Sequence, residues 1–352
     1  MPSSEHKPPP RLARGWWTGL LGGLALLAVW GAFNVLVDPT GEFGMSGRFR
    51  FNRNPPAEVI AAGMNGNNPA FFTRAIRESR GDLFLIGPSR TWRGFDTCAR
   101  PDVLRVAGSA WGLRELTRVE RTILDERDRP ATVLIEVGLP TTERPAITSP
   151  AQAAVSAALS PRTTLFSLRT VVHSLREGGE RPASYAACVP LASPPTDWAE
   201  AERSARYTLG LLDTSEASLA QGRRNVLAMA DLADQVCRRT GLRHRLVFFT
   251  LPSSPASSPF SDHDRVFRAN AARMAADFAG RTPPPGGCAI SYMNFATAPP
   301  GSPPQQALWR DRNNWSDYVH FTAGLGAVAL DALLGPPPAG LTAVKPEPGV
   351  GP

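Results

Sequence analysis

Between Arg14 and Asp38 the chain carries no charged residue, an apolar run of 23 positions from Gly15 to Val37. As a helix this run rises about 34 Å, enough for a hydrocarbon core of about 30 Å with some tilt. The pattern predicts one membrane-spanning helix. Trp16, Trp17 and Trp30 suit the two interfaces, where an indole has an apolar face and a polar N–H to place. Lys7, Arg11 and Arg14 precede the run, which favours residues 1–14 as a cytoplasmic tail and everything after Asp38 outside. A cleaved signal peptide is the competing reading, but no convincing small-x-small site follows Leu20 to Val29.

Beyond Asp38 the period changes. Short apolar runs at Asp82 to Gly87, Val103 to Ala107, Thr132 to Gly138 and Arg245 to Leu251 read as buried strands, with Ala289 to Phe295 a weaker fifth. Helical spacing lies between them. Leu113, Leu116, Val119, Ile123 and Leu124 share one face of a helix over about 113–127. Leu219, Val226, Met229, Ala233 and Val236 do the same for a helix ending near Thr240, with Gly241 free to take a left-handed cap. Further helices are predicted over 262–279 and 323–334. Strand and helix in alternation imply a three-layer α/β/α domain around a parallel sheet, spanning 38–334. Residues 145–200 break the rhythm with Ala, Ser, Pro and short apolar patches, and read as an insertion. Residues 1–10 and 335–352 are polar and Pro-rich, and predict mobile tails.

Charge changes this picture little. The net charge is +7, but the positive residues are dispersed rather than gathered in a stripe, which argues against nucleic acid. Only Lys7 and Lys345 are lysines, a skew closer to codon bias than to a binding surface. Cys98, Cys188, Cys237 and Cys288 form no CxxC pair, so a zinc site is not expected, and neither a metal cluster nor a phosphate-cradling glycine loop is present; no cofactor is implied. In an oxidising periplasm the four cysteines have three full pairings that sequence does not rank; buried free thiols are the alternative.

Candidate chemistry lies where ligands bind in doubly wound sheets, beyond the carboxyl ends of the strands. Ser89 sits there, in Leu85-Ile86-Gly87-Pro88-Ser89-Arg90-Thr91, where a Gly-Pro turn can present its hydroxyl as a nucleophile or merely start a helix. Far along the chain, in Asn314-Trp315-Ser316-Asp317-Tyr318-Val319-His320-Phe321, Asp317 and His320 stand three apart in a loop. The carboxylate can orient the imidazole, whose other nitrogen can take the Ser89 proton. The blander alternative is that Asp317 caps the final helix and His320 packs beneath it. Arg90, Trp92 and Arg93 can hold an anionic or sugar-ring substrate, or serve ion pairs and packing. Trp315 shares that ambiguity. Asp96 and Glu143 line the cleft or cap elements, and His173, His244 and His263 show no partner pattern and read as structural.

On these residues the chain resembles the SGNH/GDSL hydrolase superfamily, especially its membrane-anchored branch tied to cell-wall D-alanylation and exopolysaccharide O-acetylation. Gly87 and Ser89 match the nucleophile block, and Gly108 matches the second-block glycine whose N–H joins that of Ser89 in the oxyanion hole. Asp317, His320 and the following Phe321 match the DxxH block. The Val37-Asp38-Pro39-Thr40-Gly41-Glu42-Phe43-Gly44 segment also looks like the membrane-tethered relatives. Two positions depart from the pattern. Pro88 replaces the acidic residue of GDS, and Pro140 stands where the third block supplies an asparagine to the oxyanion hole. Losing one such donor costs about 100- to 1,000-fold in rate unless Asn314, Arg90 or a backbone amide substitutes.

The resemblance implies a single-pass protein of a bacterial inner membrane with its main domain in the periplasm or outside the cell. It implies an esterase or O-acyltransferase that works on a cell-envelope or secreted polysaccharide or acyl-sugar, beside an integral-membrane acyltransferase. The rival expectation is a non-catalytic glycan-binding or scaffolding component of a polysaccharide assembly complex.

Overall fold

The computed structural model describes residues 10–41, 43–45, 47–56, 58–59, 69–79, 81–97, 100–108, 111–138, 150–176, 197–210, 212–255 and 261–335. Pro140, Glu143, Cys98, Cys188 and nearly all of both predicted tails lie outside them. The chain divides into two compact units, one of residues 1–59 with 146–182, the other of residues 60–145 with 183–352.

The larger unit is α/β. Its strands are β1 (Leu83–Gly87), β2 (Val103–Ala107), β3 (Thr132–Glu136), β4 (Arg245–Thr250) and β5 (Ala289–Asn294), so each predicted strand is present, trimmed by at most two residues at an end. They form one parallel sheet in the order β2-β1-β3-β4-β5. Register follows the pleat, with Leu83 opposite both Val103 and Thr132. Alternate residues face opposite sides of a strand, and two apolar clusters result. Phe84, Ile86, Val133, Ile135 and Phe248 pack with the apolar faces of α4 (Leu113–Glu126) and α8 (Glu216–Thr240). Leu85, Leu134, Val247 and Phe249 pack with Trp309, Trp315, Phe321 and the last helix, α11 (Ala323–Leu334). Each fully buried side chain of this size contributes about 1.5–3 kcal/mol.

The helix periods hold. Leu116, Val119, Ile123 and Leu124 are the buried face of α4, as their spacing predicts, but Glu120 lies on that face too, with both carboxylate oxygens lacking a hydrogen-bond partner among the described residues. Helix α8 stops where Gly241 turns left-handed at φ 71° and its N–H meets the Cys237 carbonyl. Cys237, at that helix end, is disulfide-bonded to Cys288, just before β5. The remaining helices of this unit are α2 (Pro69–Glu78), α3 (Ser89–Gly94), α7 (Trp198–Gly210), α9 (Ser261–Ala279) and α10 (Pro303–Leu308).

The smaller unit holds α1 (Pro10–Val37), α5 (Pro150–Ala158) and α6 (Pro161–Arg176). Within α1, Gly15–Val37 is long and apolar enough to cross a membrane. Among the described residues of α1, Asn34 is the fully buried polar side chain. Its Nδ2 donates to the Ala158 carbonyl at 2.7 Å and to Thr164 Oγ1 at 2.9 Å, and its Oδ1 accepts from Ser167 Oγ at 3.0 Å. Trp30 Nε1 also donates to Thr164 Oγ1. Beyond the helix Asp38 takes a left-handed φ of 45° and accepts the Phe43 and Met45 amides. Asn52 Nδ2 reaches back 2.9 Å to the Leu36 carbonyl, one of the acceptors a helix end leaves open. The stretch read as an insertion thus forms two helices over its described residues 150–176, and they pack on the apolar helix within this unit.

Candidate active site

Strand β1 has β2 on one side and β3 on the other, so the chain leaves it at the point where strand order reverses. Ligands of open parallel sheets bind at such points. Ser89 opens α3 there, immediately after Gly87 and Pro88. Only glycine fits at 87, because a Cβ would lie 1.7 Å from Thr91 Oγ1. Pro88 begins the turn at φ −75°, and its carbonyl accepts the Trp92 amide at 3.1 Å. The Ser89 amide lies in the first helical turn, where no intrahelical acceptor exists.

The other two groups come from the loop before α11. Asp317 Oδ1 accepts the amides of Val319 and His320, both at 2.8 Å, and its Oδ2 meets His320 Nδ1 at 2.6 Å. A carboxylate only accepts, so Nδ1 carries a proton, and in the neutral imidazole that leaves the lone pair on Nε2. His320 Nε2 stands 3.1 Å from Ser89 Oγ. Burial works against ionisation of Asp317, but the His320 hydrogen bond and charge and the two amides outweigh it, holding the carboxyl below its ordinary range. Three groups read separately from the sequence thus meet in hydrogen-bonded series.

Close packing fixes the distance between the two halves. Phe321, next to the histidine, lies over Gly94 at the end of α3, where a Cβ would come within 2.1 Å of the ring. Gly326 of α11 is as tight, since its Cβ would fall 1.9 Å from the Gly94 carbonyl oxygen. The Trp315–Phe321 antiparallel bridge and the bonds of Ser316 N and Oγ to the His320 carbonyl, at 2.8 and 3.1 Å, hold the loop itself.

Of the other sequence candidates, Arg90 lines the same cleft as Ser89, and the rest are spread. Arg90 turns inward, with Nε 3.0 Å from Glu136 Oε1 and Nη2 donating to the Pro252 carbonyl at 2.7 Å. Arg93 is exposed, its Nη1 3.7 Å from Asp317 Oδ2. Trp92 is buried at 6% exposure, its ring 4.5 Å beneath the Arg105 guanidinium, so it packs in the core rather than at the cleft. Asn314 is spent on its own loop, with Nδ2 donating 3.1 Å to the Leu308 carbonyl. The Gly108 amide donates to the Gly87 carbonyl at 3.3 Å, a long bond. Trp315 is core, bonded through Nε1 to the Trp309 carbonyl at 3.1 Å. His173 Nδ1 stands 3.1 Å from the Asn54 carbonyl, and His244 is buried, which lowers its affinity for a proton.

Sequence reasoning passed over Glu136. It ends β3 beneath the serine turn, 1% exposed, where it accepts from Thr91 Oγ1 and pairs with Arg90. Burial raises its carboxyl above the ordinary range, against the pull of Arg90. A lone Glu inside the apolar run TVLIEVG was the available signal. His263 shows no partner pattern in the sequence. It lines the cleft beside Ser89, with Gly138, Leu212, Ser254 and Phe267, in a space of 340 Å³. Among the described residues no group of three or more His, Cys, Asp or Glu is arranged to hold a metal.

The arrangement can perform nucleophilic chemistry at a carbonyl: a hydroxyl, a base to receive its proton and a carboxylate to stabilise the imidazolium. No protein-family model, curated protein or solved structure matches this chain.

Proposed function

We propose that the protein is a membrane-anchored, extracytoplasmic esterase or O-acyltransferase of SGNH type, with a three-layer α/β/α catalytic domain, acting on a cell-envelope or secreted polysaccharide. The observation that carries this is the series Asp317 Oδ2 to His320 Nδ1 at 2.6 Å and His320 Nε2 to Ser89 Oγ at 3.1 Å. Ser89 Oγ attacks the acyl carbonyl while its proton passes to His320 Nε2. The tetrahedral intermediate collapses, and the imidazolium returns that proton to the departing oxygen. Water or a sugar hydroxyl then releases the acyl group from Ser89 by the same steps in reverse order. The Ser89 amide, with that of Gly108 once exchanged from the Gly87 carbonyl, supplies the oxyanion donors. The apolar span of α1 supports the anchor, and the Cys237–Cys288 disulfide supports an oxidising compartment. An integral-membrane acyl donor is the partner this reading calls for.

A second reading, a glycan-binding scaffold that keeps the fold, draws on the Gly108 amide being already bonded and on Pro140 in place of a side-chain donor. Labelling with a fluorophosphonate separates the two. The label should map to Ser89, vanish in His320→Ala and fall by about four orders of magnitude in rate in Asp317→Asn. Acyl-ester content of the polysaccharide should drop in a Ser89→Ala strain with normal protein levels. Unlabelled wild-type protein, with unchanged ester content in that strain and a polysaccharide defect only on deletion of the gene, would establish the scaffold instead.

A further inference from the structure

Helix α6 is built inside out. Ser167, Thr170 and Ser174 are fully buried, whereas Leu165, Leu168, Val172 and Leu175 are 47, 52, 46 and 57% exposed. Spacings of three and four put these aliphatic residues on a single stripe. The inner face is the polar one. Ser167 bonds to Asn34 of α1, and Ser174 Oγ donates to the Asn54 carbonyl at 3.1 Å. A polar face turned to the protein, with Ser167 bonded across to α1, and aliphatics facing outward are the arrangement of helices packed in lipid, where the outside is apolar.

The depth of the first turns of α6 along α1 is fixed by hydrogen bonds, while its other end bonds to Asn54, beyond the end of α1. Thr164, in its first turn, bonds to Trp30 and Asn34. Counted back from Val37, those positions lie about 10 Å and about 5 Å inside the end of the apolar span at 1.5 Å per residue. That is the depth, about 5–10 Å, to which an interfacial helix buries its apolar face. With 16 residues α6 rises only about 24 Å, too little to cross the core. Arg162, Arg169 and Arg176 recur every seventh residue beside the leucine stripe, all exposed. Arg162 also lies 5.3 Å from the Phe166 ring centroid, and Arg169 pairs with Glu58 at 2.6 Å. A row of guanidiniums bordering an aliphatic stripe complements phosphate headgroups above acyl chains.

We propose that α6 is an interfacial helix whose Leu165, Leu168, Val172 and Leu175 stripe is seated in phospholipid, in the leaflet at the C-terminal end of α1. This rests on the reading that α1 crosses a membrane. The test uses the full chain in native membranes with a photo-crosslinker at one site per variant. Leu168→p-benzoylphenylalanine probes α6, Trp17→p-benzoylphenylalanine probes α1, and Tyr207→p-benzoylphenylalanine, at a position 72% exposed in the other unit, is the aqueous control. Mass spectrometry of the digested protein should find phospholipid adducts at positions 168 and 17 in comparable yield, and well above position 207. Adducts at 17 with none at 168, or a protein adduct at 168, would overturn the interfacial helix and leave the anchor standing. The absence of lipid at both would overturn the two together.

Discussion

Helices α4 and α6 are of similar length, 14 and 16 residues, and both mix aliphatic residues with arginines at helical spacing, yet they fold in opposite senses. In α4 the aliphatics are buried against the sheet and Arg114, Arg118 and Arg121 face outward. In α6 hydroxyls are buried and the aliphatics face outward together with the arginines. Amphipathic spacing therefore reports that a helix has two faces, not which medium each one meets. The neighbour decides. α4 lies on a sheet of Val, Ile, Leu and Phe, whereas α6 lies on an apolar helix whose buried amide, Asn34, needs hydroxyl partners.

The largest expected difference comes from trimming each aliphatic face. Ile123→Ala should cost about 2–5 kcal/mol, because it leaves a cavity in a packed core. Leu168→Ala should stay within about 0.5 kcal/mol for the detergent-solubilised protein, since that side chain is half exposed. Thermal unfolding of both variants checks this, and equal losses would erase the contrast. Next in size is Ser167→Ala, which removes the donor to Asn34 Oδ1 and should destabilise the smaller unit by about 1–3 kcal/mol. Hydrogen exchange along α1 and α6 would show that loss confined to those helices.

The smallest effect concerns the two buried polar groups themselves. Asn34 is satisfied, whereas Glu120 is buried with no hydrogen-bond partner among the described residues, and desolvation raises its carboxyl well above the ordinary range. Below the unfolded carboxyl range both states hold the proton and the group costs nothing by ionisation. As pH rises through that range the unfolded chain ionises first, so stability falls until the raised folded value is passed. Glu120→Met should therefore raise the melting temperature by a few degrees at pH 7 and by less near pH 4. A gain independent of pH would show that Glu120 has a partner when folded.

Much of the larger unit was legible because β1, β3 and β4 are buried on both faces and read as apolar runs between turns, whereas β5, half-exposed along its length, carried the weaker signal. Ser89, Asp317 and His320 were legible because motif order placed them at a strand end and a loop, where their hydrogen bonds now lie. Trp92 was not, since an aromatic beside a serine carries no mark of the Arg105 guanidinium that covers it. Nor was α6, whose inner face is polar and whose partner lies some 130 residues earlier. The pairing of Cys237 with Cys288 required the β4–α9–β5 crossover that returns the chain to the end of α8, which no spacing rule contains.

Ser89 and His320 are 231 residues apart, yet Gly94 and Gly326 press their carriers together without room for a methyl group. A ribosome adding 5–20 residues per second needs about 12–46 seconds to travel from one to the other. Through that interval the hydroxyl is an ordinary alcohol with no base beside it. Under the proposed function, arming waits for the loop and helix at the far end of the domain to dock, so a nascent or truncated chain carries a serine with no base to activate it.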